Sequence, residues 1–280
     1  MLRKRIVTFL WSGAVAFVIV LVGQALWGAL VTANLKATPR LPWAVAVMAV
    51  VLFLMWKYLG GRWWPSRTSQ TRRRCLRANP VARKVLLWSF AAGSAGVIAL
   101  AGYWICLSQL AQFPPNQLPD TSKYPTFTVL AMVIMASIAA PVAEEAAFRG
   151  YCWTILERRF RPVSVFVLSS LLFALAHFTQ GLALAKLLVY FLGGLLFAGV
   201  AYAANSVWAS IPVHAFADLV AFTLLWPRDS TRQTVFAGGP NAWFWIHSTQ
   251  ALIFTLIAVL LLQKTRRVTR SENPITNPKS

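Results

Sequence analysis

Acidic side chains are scarce in this chain. It has 7 Asp and Glu against 27 Lys and Arg in 280 residues, and only 3 His. Charged residues of both signs make up 12%, about half the usual share of a soluble domain. That excludes a solvated domain of independent size. The three cysteines, Cys75, Cys106 and Cys152, have neither metal nor redox spacing, which excludes a disulfide framework. What fills the chain instead is hydrocarbon: 58% of residues are hydrophobic and the mean hydropathy is +0.60. Long apolar runs recur from end to end, the pattern of a polytopic membrane protein.

The runs predict an all-α polytopic membrane helix bundle of about eight transmembrane helices. Arg3-Lys4-Arg5 precedes a first span over residues 6–33, too long for a signal peptide and followed by more spans. Further spans are expected at 41–59, 85–111, 125–158, 163–178, 182–204, 207–226 and 242–262. The links carry turn residues: Pro39 and Pro42, Phe113-Pro114-Pro115, Thr179-Gln180-Gly181, Asn205-Ser206 and Gly238-Gly239-Pro240. Small residues (Ala92, Gly93 and Gly96; Gly193, Gly194, Ala198 and Gly199) mark faces where helices approach closely. The chain therefore divides into N-terminal helices (1–124), a central core (125–226), a loop with the last helix (227–262) and a basic tail (263–280) expected to be disordered.

A net charge of +20 invites a nucleic-acid reading, but the cations cluster between apolar spans. Eight lie in the segment 60–84, three at the N-terminus, three at 158–161 and five in the tail, against five on the opposite side. That bias puts both termini in the cytoplasm and makes 60–84 a loop held at an anionic leaflet. The expected location is an integral, multi-pass position in a bacterial inner membrane. The bilayer is the expected partner, and nucleic acid is not. The 13 tryptophans read as interfacial belts and packing, with Trp243 and Trp245 as anchors and His247 an interface residue beside them.

Two of the rare acids, Glu144 and Glu145, fall inside an apolar run together with Arg149. A charge at the bilayer centre costs roughly 2.5–3.5 kcal/mol on insertion scales, so ionisable residues there point to function. Glu145 and Arg149 are four apart and share a helix face, where pairing lowers the cost of burying both. Glu144 lies about 100° round the helix and is left to point elsewhere. His177 follows Phe173 by four residues, which sets an apolar wall beside the imidazole. His214 and Asp218 are also four apart and can converge on one ion or one substrate oxygen; as a bland alternative they form a hydrogen-bonded helix clamp. Pro212 suits a helix start capped by Ser210, which would aim free N–H groups at the site.

Glu-Glu-Ala-Ala-Phe-Arg (144–149), Phe-Ala-Leu-Ala-His (173–177) and His-Ala-Phe-Ala-Asp (214–218), in that order, resemble the signature of the CPBP intramembrane proteases. This family is also called the CAAX-protease and bacteriocin-processing, or ABI, family, and includes CAAX prenyl endopeptidases. The resemblance covers about residues 125–222. It implies hydrolysis of a peptide bond in a membrane-associated protein or peptide, with prenylated C-termini among the candidate substrates. It casts Glu144 as general base and His177 as its partner in binding water, with Glu145 and Arg149 structural. His214 and Asp218 would bind a metal or stabilise the oxyanion. Many family members have Asn where this chain has Asp218, and an ionised carboxylate cannot donate to an oxyanion. Asp218 must then be protonated, orient His214 or ligate a metal. Zinc or another divalent ion held by His177, His214 and Asp218, with Glu144 as base or ligand, is one reading; a metal-free glutamate mechanism is the other. A catalytically inactive scaffold, immunity or regulatory protein of the same fold and an ion-coupled transporter are the alternative functions. No internal repeat supports the transporter.

Overall fold

Apolar runs with polar punctuation become helices because only a helix satisfies every backbone polar group within the hydrocarbon. The computed structural model describes residues 2–113, 120–181, 183–231 and 234–272. In chain order the helices are α1 (Leu2–Ala37), α2 (Trp43–Leu59), α3 (Ser69–Cys75), α4 (Arg83–Leu110), α5 (Thr126–Glu145) and α6 (Trp153–Leu156). They continue with α7 (Pro162–Ala176), α8 (Leu184–Ala203), α9 (Val207–Val220), the single turn α10 (Val235–Gly238) and α11 (Ala242–Glu272). Among the described residues there is no β-strand.

Six helical stretches are long and apolar enough to cross a bilayer, and the shorter apolar helices α2 and α7 bring the total to the expected eight. At 17 and 15 residues, α2 and α7 are only about 25 and 22 Å long, short of the roughly 30 Å hydrocarbon core. The protein is thus an all-α, multi-pass integral membrane protein. The proline-rich break at 114–119, Leu182, Arg232 and the tail from residue 273 lie outside the described residues.

The chain forms two compact units, Met1–Asn79 with Gln117–Val165, and Pro80–Asn116 with Phe166–Ser280. In the first, α1 packs on α5, on the segment that follows it and on α2. The α1–α2 corner is fastened by buried Asn34, which donates from Nδ2 to the carbonyls of Thr38 and Leu41 (3.0 and 2.9 Å) and accepts from the Ala44 N–H (2.8 Å). The segment 60–84 is more than a basic loop. Arg72 is buried, donates to the carbonyls of Tyr58, Pro65 and Trp63 and to Thr68 Oγ1, and lies over the Tyr58 ring. Arg73 donates to the Gly60 carbonyl at 3.1 Å. Those two cations of the run are spent on holding the loop itself, because five guanidinium donors can satisfy several carbonyls that a tight turn leaves open.

In the second unit, α4 is the central helix, packed against α8, α9 and most extensively α11. The small-residue faces work as expected. A Cβ at Gly93 would stand 2.3 Å from Val213 Cγ2, and one at Gly194 would stand 2.9 Å from Ser170 Cα. These two glycines set how closely α9 meets α4 and α8 meets α7. The last helix continues ten residues beyond its expected end at 262, so 263–272 is helix rather than disordered tail. Basic residues suit a helix C-terminus, and they are anchored here: Lys264 lies over Trp88, Arg266 over Tyr202, and Lys84 pairs with Glu272 at 3.5 Å.

Candidate active site

The motif helix α5 carries Pro141, whose missing N–H leaves the Ser137 carbonyl without its usual helical donor. Five residues later the α-helix widens into a π-helical stretch, Ala146–Cys152, before tightening again as α6. π-turns are rare and cluster at functional segments; this one begins directly after Glu145. The i, i+4 pair survives the widening. Arg149 Nη1 donates to Glu145 Oε1 at 2.9 Å, and both side chains are fully buried. Glu144, one residue earlier, is also buried and turned to another neighbour, Gln24 of α1, whose Nε2 donates to Glu144 Oε1 at 3.4 Å. Gln24 was missed by the sequence reading. Its signal was present: a lone amide in an apolar stretch between Ala14 and Val31.

The second unit holds His177, His214 and Asp218 around a cavity of about 80 Å³, enough for a few water molecules. Phe173, Tyr190 and Phe197 complete its wall. His177 does not lie within its span as expected. It sits one residue past the end of α7, where its Nδ1 is 2.9 Å from the Phe173 carbonyl. In the tautomer that donates this bond, Nε2 carries the lone pair. The ring lies 4.8 Å from Phe173, the wall foreseen from the spacing, and stacks on Tyr190 at 4.2 Å. His214 is 2% exposed, stacks on Phe197 at 4.0 Å and meets Phe173 edge-on at 5.5 Å. Its Nε2 is 3.6 Å from Asp218 Oδ1, an ion-pair rather than a hydrogen-bond distance.

The helix of His214 begins where its span was expected to, and the alternative start at Pro212 is not taken. α9 begins at Val207, with Ser206 as cap accepting from the Trp208 N–H at 3.3 Å, and Pro212 lies inside the helix. Ser210 instead donates to the Val207 carbonyl at 3.1 Å. The positively charged end of α9 therefore lies about two turns before His214. Asn205 at φ 52° makes the turn out of α8, and a serine immediately before the helix outcompetes a cap inside it.

A second missed residue is Lys186, fully buried in α8. Its Nζ donates to the Gln180 carbonyl at 2.7 Å, and the Tyr190 hydroxyl donates to Gln180 Oε1. Gln180 thus links a buried cation to the tyrosine that stacks on His177. A lysine four residues before a tyrosine in an apolar helix was the available signal. Beside the first cavity lies a larger one of about 600 Å³, with Ala101, Val220 and Leu225 in the walls of both. Arg228, Asn241, His247 and Gln250 give it a polar side. His247 is half-buried, stacks on the exposed Trp243, and has its Nδ1 2.8 Å from Gln250 Oε1.

Two imidazoles and a carboxylate on one cavity are donors of the kind that zinc takes, and His177 has the carbonyl partner that orients a metal-binding imidazole. Among the described residues no three His, Cys, Asp or Glu side chains are drawn together into a ready metal shell.

Residues 126–220 match the family model of the type II CAAX prenyl endopeptidase Rce1-like proteins. No curated protein and no solved structure matches the chain. The matched stretch is about a third of the length and contains Glu144, Glu145, Arg149, His177, His214 and Asp218. Over that stretch, 126–220, the chain is similar to the CAAX-type protease family.

Proposed function

We propose that the chain is an intramembrane endopeptidase in which Glu144 is the general base. Water adds its oxygen to the scissile carbonyl carbon and gives its proton to Glu144, which passes it to the leaving amine as the C–N bond breaks. His177 helps hold the water. His214 and Asp218 serve the oxyanion side, with Asp218 orienting His214. Zinc or another divalent ion held by His177, His214 and Asp218 would supply Lewis-acid polarisation of the carbonyl. Glu145 and Arg149 keep the motif helix in shape. The observation that carries this reading is the small cavity on which His177, His214 and Asp218 converge between aromatic walls.

The substrate in this reading is a membrane-associated peptide or protein, and prenylated C-termini belong to the class that the family name specifies. The adjoining 600 Å³ cavity, apolar on one side and carrying Arg228, Asn241 and Gln250 on the other, suits several residues of peptide chain. The proposed setting is a bacterial inner membrane with both termini cytoplasmic. The test compares the cleaved termini of membrane proteins in cells bearing the wild type and Glu144→Gln. Termini that vanish in a variant of normal abundance support the endopeptidase; an unchanged set of termini overturns it. Metal analysis of purified active protein, with His177→Ala and His214→Ala alongside, decides the divalent ion.

A further inference from the structure

The first unit carries a feature that hydrolysis does not use. Lys4 and Arg5, at the start of α1, and Arg158, Arg159 and Arg161, between α6 and α7, line one cavity of about 380 Å³ with Phe160. Roughly 300–1,000 Å³ is the size range of small-molecule sites. The two cation groups are more than 150 positions apart in sequence and meet because α1 packs along the π-helical segment and α6. The concavity is therefore built by helix packing rather than by a floppy basic tail. No carboxylate lines it. The nearest in sequence, Glu157, is engaged one turn back by the Trp153 indole N–H at 2.5 Å.

Five like charges around one hollow repel one another and focus a positive potential into it. An anion relieves that repulsion, and arginine forks match phosphate oxygens in pairs. Phe160 is half-buried and gives the hollow an apolar side, so the best ligand carries hydrocarbon next to its phosphate. Charge bias places these residues at the cytoplasmic face, where basic pockets between membrane helices take lipid head groups. We propose that this hollow is a binding site for a phosphate-bearing anion, an anionic phospholipid head group. An occupied site ties the start of α1 to the end of the motif-bearing stretch α5–α6, and α1 also carries Gln24.

The full chain in neutral detergent is titrated with phosphatidylglycerol and, separately, phosphatidylcholine, and retained lipid is read by native mass spectrometry. Wild type retains phosphatidylglycerol at least tenfold more tightly than phosphatidylcholine. The variant R158Q/R159Q/R161Q loses about tenfold of that affinity, whereas R62Q/R67Q/R74Q, which removes the same charge from the other basic segment, loses less than twofold. Equal losses in the two variants, or no preference in the wild type, overturn the site. Inorganic phosphate at millimolar concentration forms the second arm. Failure to displace the lipid assigns the hollow to the head group, and displacement assigns it to soluble phosphate; both uphold a phosphate site. A photoactivatable phosphatidylglycerol must label wild-type peptides spanning 2–8 or 157–163 even if the glutamine variant does not fold. Labelling confined to other segments also overturns the proposal.

Discussion

Gln24 Nε2 lies 3.4 Å from Glu144 Oε1, so the first helix supplies a donor to the carboxylate that the Glu145–Arg149 pair leaves aside. The bond is long and its donor side chain is exposed, which lets the amide fix the carboxylate's direction without quenching it.

If Glu144 is the base, Gln24→Leu lowers kcat several-fold to about tenfold and leaves KM nearly unchanged, since Gln24 would act through the carboxylate rather than on the peptide. Gln24→Asn, with a shorter reach, falls between. Steady-state cleavage of a reporter peptide in proteoliposomes measures both. A change in KM alone would remove Gln24 from this role.

Breaking the buried Glu145–Arg149 pair leaves an uncompensated charge in a dry interior. Arg149→Met is expected to destabilise the protein by about 3–5 kcal/mol, while the double variant Glu145→Leu with Arg149→Met recovers much of that loss. Unfolding in detergent followed by tryptophan fluorescence reads the difference. A double variant no more stable than the single one would contradict a purely structural pair.

Lys186 does not line the small cavity but holds Gln180, which holds Tyr190 against His177. Lys186→Met should reduce turnover about tenfold through the slackened imidazole, as the loss of a partner behind a working histidine does. Lys186→Arg should restore most of it. Equal loss of activity in both variants at unchanged stability would mean that the cation has a different duty.

Gly93 sits where α4 meets Val213, the residue before His214. Gly93→Ala forces a shift there, costs about 1–3 kcal/mol by overpacking and moves His214. Cleavage is therefore expected to drop more than the unfolding temperature does, a comparison made on the same purified sample.

Asp218→Asn tests the carboxylate directly. In the metal reading it lowers bound divalent ion and activity together, by tenfold or more. In the metal-free reading the amide can donate to the oxyanion and activity is kept or raised. Elemental analysis beside the cleavage assay separates the two.

The eight apolar helices were legible because hydropathy is a sum over about twenty residues and tolerates local error. The i, i+4 relation of Glu145 and Arg149 was legible for a similar reason, since four-residue spacing brings side chains together in either helix type. Harder to read was anything set by a neighbouring helix. Arg72 looks like one more surface cation until the carbonyls of Tyr58, Trp63 and Pro65 surround it. Gln24 and Lys186 are single polar residues whose partners lie on another segment. The start of α9 was legible from the Asn205-Ser206 break, whereas the cap at Ser210 was not borne out: Pro212 and Ser210 form a plausible helix start by themselves, but Ser206 already caps the helix.

The π-helical stretch Ala146–Cys152 has a consequence for how the chain tolerates length changes. A π-turn accommodates one residue more than the α-helical ladder needs. Removing one residue between 147 and 152 would let the helix regularise while Trp153, Leu156 and the arginines at 158–161 keep nearly their present faces, because the wider turn already absorbs the surplus residue. A single-residue deletion within α5, by contrast, would rotate every later residue by about 100°. The π-stretch is therefore the one place in the motif helix where a shortened chain should keep its downstream faces.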